Sequence, residues 1–328
     1  MLVCRRGEAD CAYEASEIVG VGSFGTVYLG EDAKHPGRTV ALKSMTFKSP
    51  VGDTSVGDRD SQGWKDAVEE AKMHHKFQHP SILRCHEWFE EEQSAGNSGC
   101  VRTLWMVLDY MDGGDMCSFY KSKRQALAAP AEAPFVRRFL CSIGGALGHI
   151  HDMGALHRDV KCANVLLSSS LERIVLADFG LACFAADIPE PRPNSERGQA
   201  VGTLSYLAPE VLCGQQHSAH SDAWALGVCT FRASALERPF EARDETTLMM
   251  KIVSCPPAEL PRSCPADVAC AILSLLDKDC RRRLLPRDAI AQTHSAPIAR
   301  FEALMRLAAD LPPREFADLP VGTTLSRL

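Results

Sequence analysis

The sequence predicts an α+β chain: a small β-rich first part joined to a larger, mainly helical second part. Three observations carry this expectation. Before residue 110 the apolar residues fall in short runs rich in β-branched and aliphatic side chains, at Ile18 to Leu29, Thr39 to Met45 and Leu104 to Tyr110. After it they recur at helical spacing, as in Phe135, Phe139, Ile143, Leu147 and Ile150. The first part holds one helical segment, from about Trp64 to Gln78, which Pro80 stops.

In chain order, the run from Ile18 turns through glycines and continues as strand through Val27, Tyr28 and Leu29, which predicts a hairpin. The segment Lys48 to Gly63 holds Pro, Gly, Ser and Asp and reads as a loop; Glu90 to Gly99 reads as another. The change of character places a hinge near Asp109 to Asp112. A helix is expected over Pro134 to Met153, then short strands at Asn164 to Leu167 and Arg173 to Leu176. Asp187 to Gly198, rich in Pro and polar residues, is expected to be an exposed loop. Helices should account for most of Ala219 to Leu307, and Leu311 to Leu328 reads as a weakly ordered tail.

Composition removes several classes. With 36 Lys+Arg against 42 Asp+Glu in 328 residues, the net charge of −6 argues against a uniformly basic nucleic-acid binder. A chain 45% hydrophobic and 24% charged can bury a core, so a disordered protein is not expected. No apolar run approaches the ~20 residues that cross a bilayer, so no membrane role is expected. Met1 to Asp10 carries Arg5, Arg6, Glu8 and Asp10 without an apolar stretch, so a cytoplasmic location is expected over export. The 14 Cys include no CxxC pair, which points away from a zinc ribbon and toward reduced thiols, most of them small core residues.

Three groups of residues carry chemistry. Gly20-Val21-Gly22-Ser23-Phe24-Gly25-Thr26-Val27 could cover phosphates, because glycines let backbone N–H groups come close to anionic oxygens. Alone it is weak: such spacing arises by chance in about one chain in ten, and a Gly-rich hairpin explains it equally. A dinucleotide fingerprint would pass into a helix, which this run does not. Lys43, in Val40-Ala41-Leu42-Lys43, would be a solvated strand-end charge but for Glu69 and Glu70 on the next helix; Glu70 is the preferred partner. The third group decides. His157-Arg158-Asp159-Val160-Lys161-Cys162-Ala163-Asn164 holds five polar residues at a spacing that chance gives in about one chain in ten thousand. Asp178-Phe179-Gly180 begins 14 residues past Asn164, and Ala208-Pro209-Glu210 lies 28 residues past Gly180. Order, spacing and strand-loop context match a known phosphotransfer signature set.

On these motifs the sequence resembles the eukaryotic protein kinase family from about Ile18 to Arg300. More narrowly it resembles the NIMA-related serine/threonine kinases, through Val107-Leu108-Asp109-Tyr110-Met111-Asp112-Gly113-Gly114-Asp115, His149-Ile150-His151-Asp152, Val201-Gly202-Thr203, Pro239-Phe240-Glu241-Ala242 and Ile298-Ala299-Arg300-Phe301-Glu302. The resemblance implies the two-lobed protein kinase fold. Residues 1–13 would be an N-terminal extension and 14–300 the kinase domain: N-lobe to about 108, hinge 109–112, C-lobe 113–300. A C-terminal tail, 301–328, would follow.

The resemblance also implies ATP and Mg²⁺ as co-substrate and cofactor, and protein substrates phosphorylated on Ser or Thr. Val19, Gly20, Val21, Gly22, Ser23, Phe24 and Gly25 would cover the phosphates. Lys43, paired with Glu70, would contact them. Adenine would lie between Val27 and Ala41 above and Leu166 below, with Leu108 gating the pocket and the Asp109, Tyr110 and Met111 backbone offering hydrogen bonds. Asp115 would meet the ribose. Asp159 would orient the acceptor hydroxyl, with Lys161 neutralising charge and Thr203 contacting Asp159. Asn164 and Asp178 would hold the metal, a hard cation that prefers oxygen. Glu210 would pair with Arg283, and Asp222 would anchor the catalytic loop. A monomer is expected, with cytoskeletal association suggested by the family alone.

Three departures stand out. Cys162 replaces a common Pro, which implies a less rigid loop. His74 and Cys85 occupy positions usually apolar; His74 reads as a tolerated interior residue or, alternatively, as one that weakens the active arrangement when protonated, since a buried charge is costly. Arg158 implies control by phosphorylation, yet Gln199 stands at the usual acceptor position, which leaves Ser195 as the regulatory candidate, Thr203 as a less typical one, or no requirement for phosphorylation. Two other readings remain beside an active kinase. A catalytically silent scaffold would usually lack one of Lys43, Asp159, Asn164 or Asp178; a small-molecule phosphotransferase would have no use for Glu210, Asp222 and Arg283.

Overall fold

A computed structural model describes residues 2–4, 11–22, 25–49, 62–94, 100–125, 132–187 and 202–295. The chain divides into two compact units: Met1–Gly114 with Leu166–Ala182, and Asp115–Val165 with Cys183–Leu328.

The first unit is built on a sheet. Strands β1 (Leu2–Cys4), β2 (Cys11–Gly22), β3 (Gly25–Asp32), β4 (Thr39–Ser49), β5 (Cys85–Ser94) and β6 (Cys100–Asp109) form an antiparallel sheet in the order β1-β2-β3-β4-β6-β5. Alternation along β4 sends neighbouring side chains to opposite faces. Ala41 and Met45 join a cluster with Leu104, Met106 and Leu108, and Val40 and Leu42 join another with Tyr13, Trp105 and Val107. Between them Lys43, opposite Val27 on β3 and Met106 on β6, falls on the first face. The predicted hairpin is present, with Gly22 opposite Gly25. Gly25 has a φ of 147°, and a Cβ there would stand 2.1 Å from the Ser44 carbonyl oxygen, so only glycine fits.

Helix α1 (Gln62–Lys76) buries Trp64, Ala67, Ala71 and His74 along one stripe, with Glu70 and Met73 beside it. Trp64, Ala67 and Ala71 share the cluster of Ala41 and Met45, which fixes α1 on the Lys43 face. The short strand β9 (Ile174–Leu176) belongs to this unit because Leu83 N donates to Leu176 O and Leu176 N to Ser81 O. It pairs with β8 (Val165–Leu167), where the division of the chain falls.

The second unit is helical: α2 (Met116–Gln125), α3 (Ala133–Asp152), α4 (Pro209–Leu212), α5 (Ala219–Ala235), α6 (Glu245–Ser254), α7 (Ala266–Leu275) and α8 (Pro286–Ser295). Helix α3 starts with Pro134 in its first turn and buries Phe135, Phe139, Ile143, Leu147 and Ile150, as the spacing predicts. Helix α5 is buried almost throughout, and a Ser218/Ser221 capping box fixes its start. A two-residue pair, β7 (Ala155–Leu156) with β10 (Cys183–Phe184), completes this unit.

Two readings of the sequence need correction. Glu90 to Ser94 are not loop but the end of β5, because Arg102 on β6 binds Glu90 and the Trp105 indole binds Glu91, so the charges have partners across the strands. Eleven cysteines whose side chains are described are free, as expected, yet of these only Cys85, Cys162, Cys229 and Cys270 are buried. Among the described residues no helix is long and apolar enough to cross a membrane.

Candidate active site

In the first unit the site begins with Lys43. Its ammonium lies 2.5 Å from Glu70 Oε1 and 3.7 Å from Asp178 Oδ1. Burial alone would push this ammonium down, but the two carboxylates outweigh it and hold it above the usual lysine value. Burial pushes Glu70 up against the pull of Lys43. Helix α1 aims Glu70 at the lysine and supplies His74, one turn further on. The Phe179 ring stands 4.7 Å from that of His74 and 5.4 Å from that of Phe77, and is itself buried. Phe179 thus anchors the Asp178-Phe179-Gly180 segment, and Asp178 is held in a left-handed conformation (φ 65°). His74 Nε2 donates to the Leu83 carbonyl at 2.7 Å, so the ring is a satisfied interior group. Cys85 is buried and its thiol is pushed up to about 12, chiefly by that burial.

Beside this cluster Ala41, Leu108 and Met111, with Val27, Tyr110 and Leu166 at its edge, share one apolar surface. Asp109 closes it. Its carboxylate accepts from His86 Nε2 at 2.7 Å and Arg173 Nη2 at 2.7 Å, while Arg38 donates to His86 Nδ1. Nδ1 is thereby an acceptor and Nε2 carries the proton. The bond from His86, then that from Arg173, lower the Asp109 carboxyl to about 2. Val19 and Val21 on the hairpin are exposed, Val21 by 78%. Ser23 and Phe24 lie outside the described residues, as does Ser195.

The second unit carries the 157–164 loop. Lys161 Nζ binds Asp159 Oδ2 at 2.5 Å. Asn164 Nδ2 donates to Asp159 O at 2.9 Å and Asp159 Oδ2 at 3.1 Å, which leaves its amide oxygen as a free acceptor direction. Asp222, on α5, takes both ends of the turn: its carboxylate accepts from His157 N and Arg158 N at 2.9 Å, and from His151 Nε2 at 2.9 Å. Burial pushes that carboxyl up, but His151 and the backbone donors hold it below the usual range. Arg158 is thereby fixed at a φ of 64°. Gly202 (φ 116°) sits so close that a Cβ would come within 3.0 Å of Arg158 O and 3.9 Å of Asp159 Oδ1. A cavity of about 10 Å³, room for one water, is lined by Asp159, Thr203, Tyr206 and Asp222 among others. Asp115 spends its carboxylate on the Cys117 and Ser118 N–H groups and the Ser118 hydroxyl, as the N-cap of α2.

The expected Glu210–Arg283 pair is present and bidentate, at 2.6 and 2.8 Å, with Arg283 fully buried and further bonded to His220 O and Asp277 O. Cys162 is fully buried in a 3₁₀ turn, and that burial pushes its thiol well up. Sequence reasoning paired Lys43 with Glu70 and Asp222 with the catalytic-loop backbone; the approach of Asp178 to Lys43 it did not name. It passed over His86 and Arg173, which hold Asp109 from positions remote in sequence that no motif marks, and it quoted His151 only as part of a family motif, without its bond to Asp222.

Comparison with known proteins agrees with this chemistry. A protein kinase domain model matches residues 13–294. The serine/threonine-protein kinase PknJ of Mycobacterium tuberculosis is 32% identical over 239 residues, which is 72% of this chain and 36% of PknJ. The Aurora kinase of Schizosaccharomyces pombe is 28% identical over 272 residues, 83% of this chain and 68% of the relative. Nek8 of Danio rerio is 27% identical over 271 residues, 83% of this chain and 35% of the relative. The chain thus spans about a third of the length of several curated relatives it matches. With the matched model covering most of the chain and relatives named as serine/threonine-protein kinases, the chain belongs to the protein kinase family, on its serine/threonine side.

Proposed function

We propose that this protein transfers the γ-phosphoryl group of ATP to serine or threonine hydroxyls of protein substrates. The observation that carries the reading is the Lys43–Glu70–Asp178 cluster: a lysine held charged by two carboxylates, beside the apolar surface of Ala41, Leu108, Met111 and Leu166. That pairing of cation and flat apolar wall suits a nucleotide's phosphates and base. In this reading the glycines of the β2–β3 hairpin cover the phosphates and Lys43 contacts them. The backbone of Asp109 to Met111 meets adenine, and Asp115 meets the ribose.

In this reading Asn164 and Asp178 would hold Mg²⁺: each has oxygen to offer a hard cation, and the Asn164 amide nitrogen is already spent on Asp159. Bound there, the ion would neutralise charge on the transferred phosphate. Asp159 accepts or orients the proton of the acceptor hydroxyl, and Lys161, on Asp159 Oδ2, offsets charge beside it. Thr203 supports Asp159. Ser195 is the candidate regulatory acceptor, its phosphate acting through arginine. Within the family, Val107 to Asp115 and the His149 to His157 region support placing the chain beside the NIMA-related kinases, as does the similarity to Nek8. The kinase domain would span 14–300, flanked by 1–13 and 301–328, and act as a monomer.

A peptide-array assay with purified protein, Mg²⁺ and ATP tests the reading. Wild type is expected to label Ser/Thr peptides, and Asp159→Asn to lose at least about 10²-fold in rate while still binding nucleotide. Absence of labelling by wild type at saturating Mg²⁺ and ATP would replace this reading with the silent scaffold.

A further inference from the structure

A cavity of about 400 Å³ in the first unit belongs to none of the roles above. Its walls come from the segment between α1 and β5, with Cys85 at the start of β5, Asp109 at the end of β6 and Arg173 just before β9, so every lining residue lies in that one unit. Phe77, Ile82 and Cys85 are almost fully buried and form its apolar side. The Cys85 thiol, pushed up to about 12 by burial, stays protonated and acts there as a small hydrophobe. The volume falls within the roughly 300–1,000 Å³ of small-molecule sites.

The charged lining is Arg84, Arg173 and Asp109. The Asp109 carboxylate is spent, Oδ1 on His86 Nε2 and Oδ2 on Arg173 Nη2. Arg84 is exposed, and among the described residues its guanidinium meets no carboxylate. A guanidinium stays charged at any ordinary pH, and the one on Arg173 has N–H groups beyond the one given to Asp109. A solvated arginine by itself would mean nothing. An uncommitted arginine lining an apolar cavity of this size, in a chain of net charge −6, has the chemistry of a site for an amphipathic anion. Three lining residues also reach the surface that the proposed function gives to nucleotide. Cys85 belongs to the apolar cluster of Ala41, Leu108 and Met111. Phe77 packs on Phe179, the neighbour of Asp178. Asp109 precedes Tyr110 and Met111, and its N–H donates to Arg84 O at 3.0 Å. An anion drawn to Arg173 competes with Asp109 for that guanidinium and leaves the carboxylate with His86 alone.

We propose that this cavity is a regulatory site for a small amphipathic anion, its apolar body against Phe77, Ile82 and Cys85 and its carboxylate or phosphate drawn to Arg84 and Arg173, and that its occupant opposes the binding of nucleotide. The effect on nucleotide rests on the protein kinase reading; the binding of the anion does not.

The probes are 1-naphthaleneacetate and 1-naphthyl phosphate, with 1-naphthaleneacetamide as the uncharged control, each titrated into the full chain by calorimetry. At least one anion should bind saturably below about 1 mM and at least about tenfold more tightly than the amide; the tighter of the two identifies the preferred headgroup. Arg84→Gln, a change at an exposed side chain, should weaken the anions about tenfold and leave the amide unchanged. In methyl-labelled protein, NOEs from the naphthalene ring should reach Ile82. No saturable binding by either anion overturns the proposal, as does equal affinity for the amide or an affinity unmoved in Arg84→Gln. NOEs to Leu108 in place of Ile82 also overturn it, because the probe would then lie on the nucleotide surface. With the probe saturating, MgATP should bind at least about fivefold more weakly to wild type, and the effect should shrink in Arg84→Gln. An unchanged MgATP affinity with the probe bound overturns the regulatory role. Should MgATP fail to bind even without the probe, the kinase reading fails, and the three naphthalene titrations still decide whether the cavity takes an anion.

Discussion

Lys43 and Lys278 are both turned inward, one in each unit, and their surroundings are opposite. Lys43 meets Glu70 and Asp178. Lys278 meets aromatic faces, 3.9 Å from the Phe240 ring centroid and 4.7 Å from that of Trp224, and donates to the Ile252 carbonyl. Burial acts on both ammonium groups in the same direction, but Lys43 has two carboxylates within 4 Å to offset it, whereas Lys278 feels Asp277 too weakly to do so. Lys43 is held above the usual lysine value; Lys278 is pushed down to about 7. The linkage signs are therefore opposite. The Lys43 contribution to stability is complete below the ordinary lysine value and disappears as pH rises through the raised one. Lys278 destabilises most at low pH and ceases to do so once deprotonated in the unfolded chain as well. A charge kept at such expense in carboxylates is there to meet another charge, whereas a lysine laid on rings is packing with a polar tip.

The largest effect expected from this contrast is on catalysis. Lys43→Met should lower kcat/KM for ATP by on the order of 10³-fold, because it removes the cation that meets Glu70 and Asp178. Lys278→Met should leave it within a few-fold. Steady-state kinetics at varied ATP read both values, and similar losses in the two variants would erase the distinction.

The second effect concerns Trp224, whose ring carries Lys278 and also lies 5.0 Å from the Arg283 guanidinium. Here the two cations differ in what they leave behind. Arg283→Leu strands Glu210 in the interior without a counter-ion and should cost about 3–5 kcal/mol, read by urea unfolding. Losses equal to those of Lys278→Met would mean that the Glu210 pairing contributes nothing beyond contact with the ring.

What was legible in the sequence follows the same division between local and remote partners. The strand alternation around Lys43, the stripe on α1 and the spacing from His157 to Asn164 are local, and all three appear in the structure. Strand β5 was hidden because Glu90, Glu91 and Glu92 look like a solvated run. What makes them strand is Arg102 and Trp105 on the neighbouring strand, which no window around residue 90 contains. The Asp109 carboxylate was taken as incidental to a backbone role, yet it is bound by a histidine and an arginine 23 and 64 residues away. Motifs recorded the chemistry; the groups that hold Asp109 and Asp222 in place came from contacts remote in sequence.

The smallest effect sharpens the comparison most, because its sign is fixed in advance. Below pH 7 the folded protein holds Lys278 protonated at a cost that the unfolded chain, with an ordinary lysine, does not bear. Lys278→Met removes this cost along with the bond to Ile252, so the variant should be more stable than wild type by about 1–2 kcal/mol at pH 6. As pH rises from about 7 toward the ordinary lysine value, wild type recovers and the difference should shrink to zero or reverse. Urea titrations of the two proteins at pH 6, 8 and 10 give the three differences directly, and comparing the proteins at each pH cancels thiol and tyrosine ionisation common to both. A difference that stays flat across this range would mean that the faces of Trp224 and Phe240 compensate the charge fully. Aromatic rings would then hold a buried lysine as well as the carboxylates hold Lys43, and the contrast between the two units would rest on catalysis alone.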